Sequence, residues 1–297
     1  MKIVISDQIN PQTIEELKKF GEVVFRPENL FEELKTADIL IVRSATKVDK
    51  KLLQVALRLK YIIRGGVGLD NIDLEECKKR KIEVLNTPEA STNSVAELTI
   101  GLIFCLLRNI PFLHQKLTIE NKWEKNKGMG AEIENKNLGI IGMGRIGQAV
   151  AKKAKALGME VYYYDKTDKN LEYKFLKNLE DLLSICDIIT IHASSNPSDG
   201  PILKKEHFQK MKDGAFLLNL SRGFAIDEDA LLEALTTGKL KGAALDVFSS
   251  EPYFGPLIKL DNVVLTPHIG ASTYEAQERI GQEIIKIVKN IFISKKQ

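Results

Sequence analysis

The sequence predicts a two-domain α/β protein built on doubly wound parallel sheets, and three observations carry that prediction. Short apolar runs alternate with amphipathic segments along nearly the whole chain. The alternation occurs in two successive arrays. The second array opens with a glycine fingerprint set between a strand and a helix. A chain of 297 residues has room for two domains at about 150 residues each. With 44% hydrophobic and 28% charged residues it can fill two cores and cover them.

In the first array KIVIS (2–6), EVVF (22–25), DILIV (38–42), YIIR (61–64) and IEVL (82–85) read as strands, being short and rich in β-branched residues. IEELKKF, ENLFEELKTA, KKLLQVALRL and DLEECKKRK between them repeat their apolar residues at helical spacing. Such alternation implies a parallel sheet covered on both faces. After NTPEASTN, Asn93 or Ser94 is the expected N-cap of a helix running through VAELTIGLIFCLLRN to Pro111. Beyond a polar stretch around Trp123 the strands resume: NLGII (137–141), EVYYY (160–164), DIITI (187–191), AFLLNL (215–220), AALDV (243–247) and NVVLT (262–266). From about Thr273, Ala276, Ile280, Ile284, Ile287, Val288 and Ile291 share one stripe, which predicts a long C-terminal helix with a buried face.

Composition narrows the function. Forty-three basic residues against 40 acidic ones leave a net charge of only +3, so no nucleic-acid partner is expected. The apolar run Leu98–Leu107 is broken by Thr99 and Gly101 and falls short of the ~20 residues of a membrane span. The N-terminus opens directly into a strand, with no secretory signal in view. Cys77, Cys105 and Cys186 lie far apart and outside any CxxC pair, which reads as reduced thiols in a cytoplasmic protein. No metal site is expected.

In an open parallel sheet, ligands bind beyond the carboxyl ends of the strands. The first strand of the second array is followed by Gly142-Met-Gly144-Arg145-Ile146-Gly147 and then an amphipathic helix. Gly142 permits the tight turn, Gly144 the approach of a pyrophosphate, and Gly147 close helix–strand packing. The helix N-terminus adds unpaired N–H groups. Asp165 lies 18 residues after Gly147, near the spacing of a carboxylate that binds the adenosine ribose and repels a 2′-phosphate, favouring NAD. The alternative is an ordinary helix cap, and Lys166 and Lys169 close by weaken the preference. The later strand ends carry His192, Ser221-Arg222-Gly223, Asp246 and His268. Taken singly, His192 reads as a wall residue, Asp246 as a satisfied core carboxylate and His268 as a turn residue. Arg222 stands out, since only nine residues of the chain are arginine and a guanidinium grips carboxylates bidentately. Glu251, before Pro252, is 17 residues ahead of His268 with one strand between. It reads equally as a solvated surface residue or as the partner of that histidine.

These stretches, with VRSATKVD (42–49), IIRGGVGLDNIDLE (62–75), NTPEASTNSVAELTIGLI (86–103), NKWEKNKGMGAEI (121–133), LNLSRGFAIDEDALLEAL (218–235), GAALDVFSSEP (242–252) and LTPHIGASTYEAQ (265–277), span nearly the whole chain. Together they resemble the D-isomer-specific 2-hydroxyacid dehydrogenases. HIGAST followed by EAQ is similar to the branch that oxidises D-3-phosphoglycerate to 3-phosphohydroxypyruvate, the entry to serine biosynthesis. The resemblance implies catalytic roles for Arg222, Glu251 and His268. His268 would take the hydroxyl proton as hydride leaves C2, Glu251 would fix its tautomer and favour its protonated form, and Arg222 would hold the substrate carboxylate. It implies cofactor roles for Gly142, Gly144, Arg145, Ile146, Gly147 and Asp165. Further round the sheet it adds His192, Ala193, Leu220, Ser221, Asp246, His268, Gly270 and Ala271, with NAD as cofactor.

The same resemblance makes residues 1–93 plus 273–297 a discontinuous, flavodoxin-like substrate domain, and 94–272 the Rossmann domain. Arg43, Ser44, Arg64, Gly66 and Val67 would join Arg222 in holding the substrate. Backbone N–H groups at Gly66 and Val67 suit a carboxylate, and Arg43 and Arg64 suit a phosphate; either arginine reads alternatively as a surface ion-pair partner. The resemblance implies a cleft that closes before hydride transfer and a homodimer formed through the helix at about 94–110 and the Trp123 arm. Two features depart from the family. ASSNPSDGPIL follows His192 where a proline usually stands close behind the strand, and the chain stops at Gln297, where longer members continue into regulatory domains, so feedback through such domains is not expected. A hydroxypyruvate or glyoxylate reductase is the alternative within the same chemistry, and an NAD(H)-sensing binding protein the alternative outside it.

Overall fold

The β-branched runs of the first ninety residues pair as a five-stranded parallel sheet in the computed structural model, which describes residues 1–193 and 197–294. The strands are β1 (Lys2–Ile5), β2 (Glu22–Phe25), β3 (Ile39–Val42), β4 (Tyr61–Arg64) and β5 (Glu83–Asn86), in the order β2-β1-β3-β4-β5. That order is the flavodoxin-like one. Alternation along each strand feeds two cores. Ile3, Ile5, Ile39, Ile41 and Ile63 point to one face, where the C-terminal helix Tyr274–Ser294 brings Ile280, Ile284, Val288 and Ile291. Val4, Leu40, Val42 and Ile62 point to the other, against Leu52, Leu53 and Cys77. Two helices on that face, Lys50–Val55 and Leu74–Lys79, start at aspartates whose side chains accept the N–H of Leu52 and of Glu76. Burial pushes the Cys77 thiol up to about 11 and that of Cys186 to about 12. Both stay protonated and act as core filler.

The chain divides into two units, Met1–Thr92 with Ala271–Gln297, and Asn93–Gly270. The last three residues of the expected 273–297 segment lie outside the described residues.

The second unit holds β6 (Asn137–Ile141), β7 (Glu160–Tyr164), β8 (Lys174–Phe175), β9 (Ile188–Ile191), β10 (Ala215–Asn219), β11 (Leu240–Leu245) and β12 (Val263–Leu265). They pair in parallel in the order β12-β11-β10-β9-β6-β7-β8. Strand order therefore reverses at β6, which lies between β7 and β9, and a ligand crevice is expected there. Leu138, Ile140, Ile188, Leu218 and Ala244 pack against Leu102, Ile103 and Leu106 of helix Thr92–Leu107 and Val150 and Ala154 of helix Arg145–Ala156. On the opposite face Ile189, Ile191, Leu217 and Leu245 meet Leu182, Leu183, Leu231 and Leu235.

Three details differ from the sequence reading. The helix expected to start at Asn93 or Ser94 begins at Thr92, so neither residue caps it. Ser94 instead donates its hydroxyl to Gly270 O at 2.6 Å. The same helix stops at Leu107 rather than running on to Pro111. Asn109 turns left-handed (φ 51°), and a separate helix, Ile110–Thr118, starts with Pro111 in its first turn, where a missing N–H is harmless. β8 has two residues, too few to register as periodicity, and β11 runs Leu240–Leu245, so Asp246 lies just past the strand. Among the described residues no single helix is long and apolar enough to cross a membrane.

Candidate active site

Beyond the carboxyl ends of the seven-stranded sheet stand most of the polar residues that the sequence singled out. Gly142 follows β6 at φ +94°, a conformation that L side chains resist, and a Cβ there would lie 2.4 Å from Ala193 N. The His192–Ala193 segment is thus packed onto the glycine turn. A Cβ on Gly147 would lie 2.2 Å from Gly142 O, so the helix starts flush against its strand. Gly144 faces open space, with nothing within 4 Å of where its Cβ would be. No side chain caps the helix that begins at Arg145 and Ile146. An open backbone approach under an uncapped twelve-residue helix is a cradle that a pyrophosphate fits.

Asp165, after β7, accepts the Met143 N–H at 2.9 Å through Oδ2 and the Lys166 N–H at 2.7 Å through Oδ1. No helix follows it, so the helix-cap alternative is corrected: the carboxylate ties the glycine turn to the next strand end. Lone pairs remain on both oxygens for ribose hydroxyls. Lys169 Nζ lies 3.4 Å from Oδ1.

His192 sits with Nε2 2.9 Å from Thr190 Oγ1, and its buried Nδ1 has no hydrogen-bond partner among the described residues. Burial pushes the imidazole down to about 3. A ring held neutral at working pH lines a wall and shuttles no proton. Residues 194–196 of the ASSNPSDGPIL departure lie outside the described residues. Because the unfolded ring binds a proton below about pH 6.5 and the folded one does not until about pH 3, His192 costs the protein stability as pH falls through that window. Between about pH 7.5 and pH 5, the wild type should lose up to about 2 kcal/mol that His192→Gln does not lose. Urea unfolding at the two pH values measures it, and equal losses in both proteins contradict it.

Asn219, at the end of β10 and 1% exposed, accepts the Ser221 N–H (3.1 Å) and hydroxyl (2.8 Å) and donates to Arg222 O (2.8 Å). It folds the Leu220–Gly223 turn that presents Arg222, whose Nη1 donates to Ser221 O at 2.7 Å. Sequence reasoning missed Asn219; an amide closing an otherwise apolar strand was the available signal.

Asp246, 2% exposed, accepts Thr266 Oγ1–H and the Ile269 N–H through Oδ1, each at 2.7 Å, and the Gly270 N–H through Oδ2 at 2.8 Å. Burial raises its pKa, against the lowering effect of those three donors. The core-carboxylate reading describes these contacts, and a lone pair on Oδ2 is left for a carboxamide. All three bonds go to the loop that carries His268. That loop turns sharply: His268 has φ +54°, and its N–H donates to Thr266 O at 2.9 Å across Pro267.

The turn delivers His268 Nδ1 to 2.9 Å from Glu251 Oε2. Glu251 Oε1 accepts the Phe248 N–H at 3.2 Å. A carboxylate can only accept, so Nδ1 carries the hydrogen and Nε2 is left for a substrate. The two side chains are 39% and 38% exposed, within reach of one.

In the five-stranded unit, Arg43 and Arg64 stand at the carboxyl ends of adjacent strands, Val42 being opposite Arg64. Asp7, missed in the sequence, accepts the Arg43 N–H (2.6 Å), the Thr46 N–H (3.2 Å) and the Thr46 hydroxyl (2.5 Å). Asn71 donates to both Arg43 O and Thr46 O at 2.7 Å. The Arg43 guanidinium donates to Gln277 Oε1 at 2.7 Å, and burial lowers its pKa against the pull of Asp7. Ser44 is exposed. The strand-end turn after Arg64 is held locally. The Gly66 N–H donates to Arg64 O at 2.9 Å in a local turn, while Val67 O accepts from Asn86 Nδ2. Gly270 lies in the second unit and Ala271 in the first, where its carbonyl accepts from Gln277 Nε2 at 2.6 Å. Among the described residues no group of three or more His, Cys, Asp or Glu could hold a metal ion.

A parallel sheet reversing at β6 above an uncapped glycine cradle is a dinucleotide-binding domain, here bearing an imidazole–carboxylate pair. The chain belongs to the D-isomer-specific 2-hydroxyacid dehydrogenase family. The family's NAD-binding domain matches residues 100–270. D-3-phosphoglycerate dehydrogenase of Methanocaldococcus jannaschii is 42% identical over 98% of this chain and 57% of its own length. Hydroxypyruvate reductase of Thermotoga maritima is 45% identical over 94% of this chain and 92% of its own. The crystal structure of D-lactate dehydrogenase from Aquifex aeolicus, complexed with NAD and lactic acid, superimposes with a TM-score of 0.88 at 31% identity, covering 99% of this chain and 96% of that one. The chain thus spans little more than half the length of the phosphoglycerate dehydrogenase it matches.

Proposed function

We propose that this protein interconverts a D-2-hydroxy acid and its 2-oxo acid with NAD(H), and that the pair is D-3-phosphoglycerate and 3-phosphohydroxypyruvate. The observation that carries the reaction type is the His268–Glu251 pair, with Nδ1 held at 2.9 Å by the carboxylate, which leaves Nε2 as the ring's acceptor nitrogen. In the oxidative direction His268 Nε2 takes the C2 hydroxyl proton, and Glu251 stabilises the imidazolium that forms. In reduction the same ring returns the proton to the nascent alkoxide. Arg222 holds the substrate carboxylate and polarises the C2 oxygen. Gly142, Gly144 and the N-terminus of helix Arg145–Ala156 would hold the dinucleotide, which would supply the hydride donor or acceptor. Asp165 takes the ribose hydroxyls and disfavours a 2′-phosphate. We also propose a cytoplasmic homodimer, a reading supported by three free cysteines and by the exposed Trp123 and Met129.

The phosphate assignment rests on Arg43 and Arg64 at adjacent strand ends. Arg64→Ala should raise KM for phosphohydroxypyruvate roughly 10- to 100-fold, as loss of a charge-assisted bond demands, and leave KM for hydroxypyruvate unchanged. The likeness to the Thermotoga maritima hydroxypyruvate reductase, which extends over nearly all of both chains, favours a second reading, hydroxypyruvate reduction. Equal kcat/KM on the phosphorylated and unphosphorylated oxo acids, with no effect of Arg64→Ala, selects it. Binding of NADH with turnover of neither acid refutes both and leaves a sensor.

A further inference from the structure

Helix Glu228–Thr236 starts at Asp227, whose carboxylate already accepts the Ala230 N–H at 3.0 Å. Glu228 is therefore not required as the cap, and its side chain reaches away from the helix: Oε1 accepts the Ser249 N–H at 2.6 Å. The preceding N–H, that of Phe248, is the one accepted by Glu251 Oε1 at 3.2 Å. Two carboxylates thus fasten two consecutive N–H groups. The peptide between them also touches the turn of Arg222. A Cβ on Gly223 would lie 1.9 Å from both Phe248 C and Phe248 O, and 2.3 Å from Ser249 N. Further along the same loop the Phe248 and Tyr253 rings stack with centroids 4.4 Å apart, and the Tyr253 hydroxyl accepts the Leu257 N–H. Only a glycine at 223 allows this approach, and the rings close the loop on itself.

We propose that Glu228 is a positioning residue for the reaction, fixing the Phe248–Ser249 peptide so that Glu251 meets His268 at a set distance from Arg222. The physical need is plain. Glu251 sits on an irregular loop, where no sheet ladder fixes its backbone, and a displacement of about 1 Å at a reacting group can cost up to about 10²-fold in rate. The competing role for a glutamate in a first helical turn is interaction with the helix dipole, which needs charge at that end but no particular reach.

Three variants separate the roles. Glu228→Gln keeps an acceptor oxygen at the same reach, Glu228→Asp keeps the charge but is one methylene short, and Glu228→Ala keeps neither. Positioning predicts a fall in kcat of about tenfold for the Ala and Asp variants, unchanged KM for NADH, and restoration to within about twofold by Gln. The kcat readout rests on the proposed dehydrogenase activity, so a second readout is independent of it. The downfield ring N–H signal of the His268–Glu251 hydrogen bond, assigned by its loss in His268→Asn, should persist in wild type and Gln and weaken in Ala and Asp. Wild-type kcat and an intact ring signal in Glu228→Asp overturn the proposal, as does an equal loss in Gln and Ala. If wild type turns over no 2-oxo acid, the functional reading fails and the ring signal alone decides the positioning.

Discussion

Replacing His268 with asparagine should lower kcat by ~10² to 10⁴ while leaving KM for NADH near its wild-type value, because the variant removes the proton carrier that Glu251 orients. Asparagine is the informative substitution. His268 sits at φ +54°, and asparagine tolerates that left-handed region better than most residues, so the loop keeps its shape. What disappears is the imidazole itself. Glu251, 2.9 Å from Nδ1, cannot substitute, since a carboxylate facing a developing alkoxide repels it. Steady-state kinetics in the reductive direction give kcat and KM separately. A loss confined to KM would show that the ring only binds substrate, and would remove the acid–base role.

Asp246→Ala should impair both stability and turnover, although Asp246 is not one of the reacting groups. It strips partners from two backbone N–H groups and a hydroxyl, those of Ile269, Gly270 and Thr266. Only the Gly270 N–H is left buried, since Thr266 is half-buried and Ile269 exposed, so a destabilisation of about 1–3 kcal/mol is expected. The left-handed backbone of His268 costs about 1–3 kcal/mol to hold and would relax once the brace is gone, carrying the imidazole away from Glu251. Asp246→Asn should fare little better, because its amide NH₂ would confront an N–H donor on one side. A fall in Tm accompanied by a loss of kcat at temperatures where the variant is still folded fits this account. Unchanged Tm and kcat together contradict it.

Asp165 and Asp246 illustrate how far sequence reading reaches. Both lie at strand ends, and both were legible as polar residues in an apolar context. The spacing of Asp165 from Gly147 identified its strand end, yet its bond to Met143 N depends on β6 and β7 being neighbours. For Asp246 the sequence left open a core carboxylate or a cofactor ligand. The structure gives it three donors from a segment twenty or more residues later. Gly66 likewise reads in sequence as a strand-end residue, and its N–H contact with Arg64 O is a product of the folded turn. Asn219 and Glu228 escaped notice because an amide and a glutamate look like ordinary surface residues until their partners are known.

By itself the sequence determined the two parallel sheets, the glycine turn and the residue types available for proton and carboxylate handling. Those features depend on periodicity and on local backbone preference, which neighbouring residues encode. The tertiary structure alone decided that His268 and Glu251 meet, that Asp246 braces the loop between Thr266 and Gly270, and that Gly223 lies against Phe248. Each of these is a contact between separate strand-end loops. Strand order, set by burying apolar faces across the whole sheet, brings such loops together, and no local pattern records it.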